Sequence, residues 1–103
     1  MSHLVQLFLP LQDNHGQSFP ASHFHRVRDE LTQQFNGMTA YTRAPAEGRW
    51  QSSDDRTVRD DIVVYEVMTE KLDRAWWNEY RGSLEKLFAQ EHMLIRAQMV
   101  ELL

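Results

Sequence analysis

His23-Phe24-His25 has the look of a metal-ligand pair. On a helix, positions i and i+2 point about 200° apart, so the two imidazoles cannot share one ion. His15 has the reach to join His25 through the intervening loop, but no carboxylate stands beside them at ligand spacing. Surface histidines near a helix start are the plainer reading. His92, next to Glu91, is a candidate general base because imidazole changes charge near neutral pH; a boundary histidine without a chemical role is the alternative. Asp54-Asp55 and Asp60-Asp61 bracket Arg56 to Arg59, without the alternating oxygen ligands and central glycine of a calcium loop. They read as solvated loop charges. Glu66 with Arg96 or Arg43 is the more promising set: such groups pair across strands or hold a polar ligand between subunits. Trp50, in the Gly48-Arg49-Trp50 turn of a long polar loop, either staples that loop by burying its indole or closes over a pocket as a lid. Tyr41 is the aromatic candidate nearest to it in sequence. No metal site and no cofactor is expected.

The elements that position these residues follow from hydrophobic period. Residues 3 to 9 are a short apolar run ended by Pro10, a strand signal. Residues 10 to 22 are loop. Phe24, Val27, Leu31 and Phe35 then fall on one stripe of a helix, with Ser22 as its N-cap and Asn36-Gly37 as its stop. Met38 to Arg43 alternates as a second strand, and residues 44 to 59 form a polar connection. Ile62 to Met68 is rich in β-branched residues and predicts a central strand. Leu72 to Gln90 predicts a helix with Leu72, Trp76, Tyr80, Leu84, Leu87 and Phe88 on its buried face, and Met93 to Leu102 a last strand. The order β-α-β-β-α-β with right-handed crossovers predicts a single α+β domain over residues 1–103. That domain is a ferredoxin-like plait with antiparallel order 4-1-3-2 and both helices on one face.

Strand alternation then assigns the open face. It collects Gln6, Phe8, Thr39, Tyr41, Arg43, Val64, Glu66, Arg96 and Gln98, while Met93, Ile95, Ala97 and Met99 should lie under the helices. So mixed a surface, beside a terminal strand apolar on both faces, predicts a covered patch and a covered edge. A homo-oligomer, a dimer, is the expected state, with a small molecule as a possible ligand.

Composition removes several classes of function. With no cysteine, the chain has no disulfide, thiolate metal site or cysteine nucleophile. Eleven Lys and Arg stand against 15 Asp and Glu, a formal net charge of −4, which disfavours a nucleic-acid partner. No stretch approaches the ~18 apolar residues of a membrane span, and the N-terminus lacks the pattern of a signal peptide. A soluble cytoplasmic protein is expected. An acylphosphatase-like loop would need an arginine after the first strand, and residues 10 to 22 hold no Arg or Lys. No P-loop or nucleophile elbow is present.

Phe35-Asn36-Gly37-Met38-Thr39-Ala40-Tyr41, Gly48-Arg49-Trp50 and Phe88-Ala89-Gln90-Glu91 together resemble a family of short, uncharacterised bacterial proteins. In these, a phenylalanine-glycine-glycine-x-threonine segment precedes a glycine-x-tryptophan turn, and a phenylalanine-x-glutamine-glutamate step precedes the final strand. The resemblance spans most of residues 4 to 100, with Asn36 in place of the usual first glycine. It implies the ferredoxin-like fold and marks Thr39, Trp50, Gln90 and Glu91. Two functional readings remain. One is a non-catalytic homo-oligomer binding a small molecule or protein partner on its open face. The other is a small cofactor-free enzyme resembling the dimeric α+β-barrel proteins, an oxygenase or isomerase, with a pocket near Trp50.

Overall fold

The computed structural model of the chain describes residues 2–35, 38–43 and 62–103. Six elements follow one another: β1 (Ser2–Pro10), α1 (Ala21–Gln34), β2 (Met38–Arg43), β3 (Ile62–Thr69), α2 (Arg74–Leu87) and β4 (Ile95–Val100). This is a mixed α+β domain. Its sheet is antiparallel, in the order β2-β3-β1-β4. Trp50 and the acidic pairs at 54–55 and 60–61 lie outside the described residues, as do Asn36-Gly37. Among the described residues no helix is long and apolar enough to cross a membrane.

Period-2 burial in β1 sets the layers. Val5, Leu7 and Leu9 are buried while their neighbours are only partly covered. Register places Val67, Tyr65 and Val63 of β3 beside them. These six join Val27 and Leu31 of α1 and Trp77, Tyr80 and Leu84 of α2 in one core cluster, so both helices cover the same face. Burial of apolar area at roughly 25 cal/mol per Å² is what holds such layers together.

Helix ends differ from the sequence expectation in instructive ways. Pro20, not Ser22, occupies the N-cap of α1, and no side chain caps that end. The ring fixes φ at −64° with an extended ψ of 149°, which starts the helix two residues earlier and carries Ser22 into the first turn. In α2 Asp73 is the cap, its carboxylate accepting from the Trp76 backbone N–H at 3.1 Å. That α2 buries Trp77 more deeply than Trp76 also departs from the expectation. Positions 77, 80, 84 and 88 lie on one stripe at helical spacing, and Trp76 flanks it.

The two helices are tied through Tyr80, whose hydroxyl donates to Glu30 Oε1 at 3.1 Å. Burial, then the Glu30 charge, push this phenol well above its ordinary range. Tyr65 donates to the Phe24 carbonyl at 3.2 Å, and burial raises its pKa too.

The last strand is shorter than its sequence suggests. Met93 is buried and Ile95 half-buried, but Ala97 and Met99 are exposed although they share their face with the helices. The reason is position: β4 is the edge strand among the described residues, and α2 stops short of its outer rim. A groove of about 420 Å³ runs between them, lined by Leu72, Arg74, Trp77, Arg81, Ile95 and Ala97 among others.

Candidate functional site

The face turned away from the helices carries a polar ladder. β1 lies between β3 and β4, and its Gln6 pairs in register with Glu66 on one side and Arg96 on the other. The amide bridges them: Gln6 Nε2 donates to Glu66 Oε2 at 2.6 Å, and Arg96 Nε donates to Gln6 Oε1 at 2.8 Å. Glu66 and Arg96 are therefore linked through Gln6, across two strand spacings of about 4.8 Å each. The Arg96 guanidinium also lies over the Phe8 ring, 5.0 Å from its centroid, a cation–π contact. β2 completes the sheet's register on this side, with Thr39 opposite Glu66, Tyr41 opposite Val64 and Arg43 opposite Ile62. Val64, expected on an open surface, is fully buried and stands outside the core cluster of the helix face.

At the end of this face, where β1 leaves the sheet and β4 enters it, a cleft of about 570 Å³ opens. Its polar wall is Gln12, Asp13, Asn14, Gln90 and His92, and Phe8, Ile62, Met93 and Leu94 supply apolar surface. Phe8 belongs both to the ladder and to the cleft. Pockets of this size with a few convergent polar groups are the usual form of small-molecule sites.

Two local motifs aim the polar wall. Asp13 opens a tight turn: its Oδ1 accepts from the backbone N–H groups of His15 (2.8 Å) and Gln17 (2.9 Å). The Gln17 N–H bond holds the Asp13 pKa below the ordinary 3.8. Gly16, at φ 82°, takes the left-handed conformation that the turn requires. The second motif ends α2. Gln90 N–H bonds to the Glu85 carbonyl and Ala89 N–H to Lys86, the pair of bonds that defines a Schellman end. Ala89 holds the left-handed position at φ 50°. That end throws the Gln90 side chain toward the cleft, where Nε2 donates to the Phe88 carbonyl (3.1 Å) and reaches Asn14 Oδ1 (3.5 Å). A left-handed backbone costs an L-residue about 1–2 kcal/mol. Ala89→Gly is accordingly expected to raise stability by about 1 kcal/mol, read as a higher denaturant midpoint at unchanged slope.

Of the residues singled out in the sequence, the structure brings Glu66 and Arg96 into the ladder and His92 into the cleft. Tyr41 and Arg43 take the register positions beside Val64 and Ile62, and Trp50 lies outside the described residues. His23 is a packing residue: its ring lies 5.6 Å from both Phe19 and Phe88, while His25 is exposed. Gln6, expected on the open face, bridges Glu66 and Arg96, and Gln90, marked by the resemblance, lines the cleft; Gln12, Asp13 and Asn14 were not foreseen. Among the described residues, no three His, Cys, Asp or Glu side chains are grouped to hold a metal ion.

No protein-family model matches this chain, and no curated protein matches it. Among solved structures it is similar to a phage SAM lyase in complex with S-methyl-5'-thioadenosine. The TM-score is 0.63 at 10% identity, over 94% of this chain and 80% of that one. At that identity the likeness shows the fold alone.

Proposed function

We propose that this domain is a non-catalytic homo-oligomer with the ferredoxin-like βαββαβ layout that binds a small molecule at the end of its helix-free sheet face. The observation that carries the reading is the cleft itself, where amide, carboxylate and imidazole groups from the 12–14 turn and the 90–92 segment meet apolar surface from β1, β3 and the Met93-Leu94 step before β4. Its chemistry narrows the ligand. Among the described lining residues there is no Arg or Lys, and Asp13 is acidic. From those described residues a phosphate would meet no Arg or Lys charge, whereas hydroxyls and ring nitrogens would find donors and acceptors on three amides. A neutral nucleoside or its thioether fits that pattern. The solved lyase, complexed with S-methyl-5'-thioadenosine, lends support of the same kind.

Calorimetric titration with S-methyl-5'-thioadenosine tests this. Saturable binding is expected, weakened about tenfold by Gln90→Ala, which equals about 1.4 kcal/mol, and unaffected by Glu79→Ala on the helix surface. No heat at millimolar ligand, or identical loss in both variants, would count against the cleft.

A second reading, a small cofactor-free enzyme of the dimeric α+β-barrel kind, oxygenase or isomerase, draws on His92 at the cleft and on the neighbour being a lyase. Turnover of a bound ligand that His92→Gln abolishes, with binding retained, would favour it.

A further inference from the structure

The outer rim of β4 has a defined hydrogen-bonding phase. Phe8 N–H donates to the Leu94 carbonyl at 3.1 Å, so in this antiparallel pair the even-numbered residues 94, 96 and 98 bond to β1. Residues 95, 97 and 99 therefore present their N–H and C=O groups outward, along a rim that is free among the described residues. Residues 96–99 are exposed, Met99 at 66% and Leu94 at 57%. An apolar, unpaired edge of this kind is a template for another strand.

The strand that fits it is its own copy. A two-fold axis perpendicular to the sheet keeps helix face with helix face. Set through Ala97, it places Ile95 opposite Met99 of the partner subunit, Arg96 opposite Gln98 of the partner subunit, and Leu94 opposite Val100 of the partner subunit. Every exposed apolar residue of the strand meets another, and the strand's one charge meets an amide. The neighbouring registers are worse: an axis through Arg96 sets two guanidinium groups face to face, and one through Gln98 sets Ile95 against a glutamate. On the helix side, Met99 of the partner subunit enters the 420 Å³ groove beside Trp77 and Ile95. On the other side the partner's tail runs past Leu94 and His92, which wall the cleft.

We infer that β4 is the seam of a two-fold homodimer with its axis through Ala97, and that each copy's residues 100–102 complete the wall of the other's cleft. The second half rests on the reading of the cleft as the binding site.

Because the chain has no cysteine, single-cysteine variants report the register directly. Ala97→Cys is expected to oxidise to a covalent dimer, since opposed bonded residues lie about 5.5 Å apart. Gln98→Cys, facing Arg96, is expected to stay reduced. By light scattering the wild-type chain should have twice its 12.2 kDa mass. Ala97→Pro, which removes an outward N–H and leaves the bonds to β1, should be a folded monomer. It should also bind S-methyl-5'-thioadenosine about tenfold more weakly. A monomeric wild type, or preferential cross-linking at position 98, overturns the seam. A monomeric Ala97→Pro that binds the probe unchanged overturns the shared wall. If Ala97→Pro does not fold, the cross-link still decides. If the probe does not bind the wild type, the cleft reading falls while mass and cross-link judge the seam.

Discussion

Phe88→Ala should lower stability by about 3–5 kcal/mol, the range for deleting a fully buried aromatic ring. Phe88 has no exposed surface. Its ring lies 5.1 Å from Phe19, edge-on, and 5.5 and 5.6 Å from Phe24 and His23. It therefore joins the 11–19 segment, the start of α1 and the end of α2 at one point. Neighbours drawn from three segments cannot collapse together into the void, which puts the cost at the upper end for the site. Domains of this size have only ~5–15 kcal/mol in total, and each kcal/mol moves the melting temperature by about 4–8 °C. A fall of roughly 12 °C or more is expected in a circular-dichroism melt, with Phe88→Leu giving a much smaller one. A fall of only a few degrees would mean that the aromatic cluster is loosely packed. The change also bears on the cleft, because the Phe88 carbonyl accepts from Gln90.

How far these features were legible in the sequence depends on the range of the force that makes them. Alternation is local, so the faces of β1 and β3 could be read off Val5, Leu7 and Leu9 and off the single charge at Glu66. The Gln6 bridge was equally within reach: once the first strand lies between the third and the fourth, its polar residue in the row of Glu66 and Arg96 must stand between them. Trp77 was missed because two adjacent tryptophans each satisfy a coarse helical stripe; only the phase fixed by Leu84 and Phe88 chooses between them. His23 was expected as a surface histidine near a helix start, but its half-buried ring serves as a flat packing surface against Phe19 and Phe88, contacts that no local pattern announces. The exposure of Ala97 and Met99 was not legible at all. It depends on how far α2 reaches across the sheet, a tertiary distance that no local pattern encodes. His92 and Gln90 were marked in the sequence, but their meeting with the 12–14 turn in one cleft was hidden for another reason. Schellman ends announce themselves by glycine, and this one holds Ala89.

Gln6→Leu should then be costly for a change at a partly exposed position of the helix-free face. The substitution keeps much of the side-chain volume but removes both bridging bonds, at 2.6 Å to Glu66 and 2.8 Å from Arg96. Hydrogen bonds to charged groups contribute about 1.5–3 kcal/mol each. The two here are not equal. Glu66 is half-buried and loses a partner it cannot fully replace with water, whereas Arg96 is exposed and rehydrates readily. A net loss of about 2–3 kcal/mol follows, nearly all from the Glu66 side. Arg96→Leu alone should cost less than about 1 kcal/mol. If the ladder acts as a unit, the double variant will cost less than the sum of the two, the coupling that a double-mutant cycle measures. Additive losses would instead make the two bonds independent surface contacts. A Gln6→Leu loss below about 0.5 kcal/mol, the level of an ordinary surface substitution, would mean that the ladder adds little to the stability of this face.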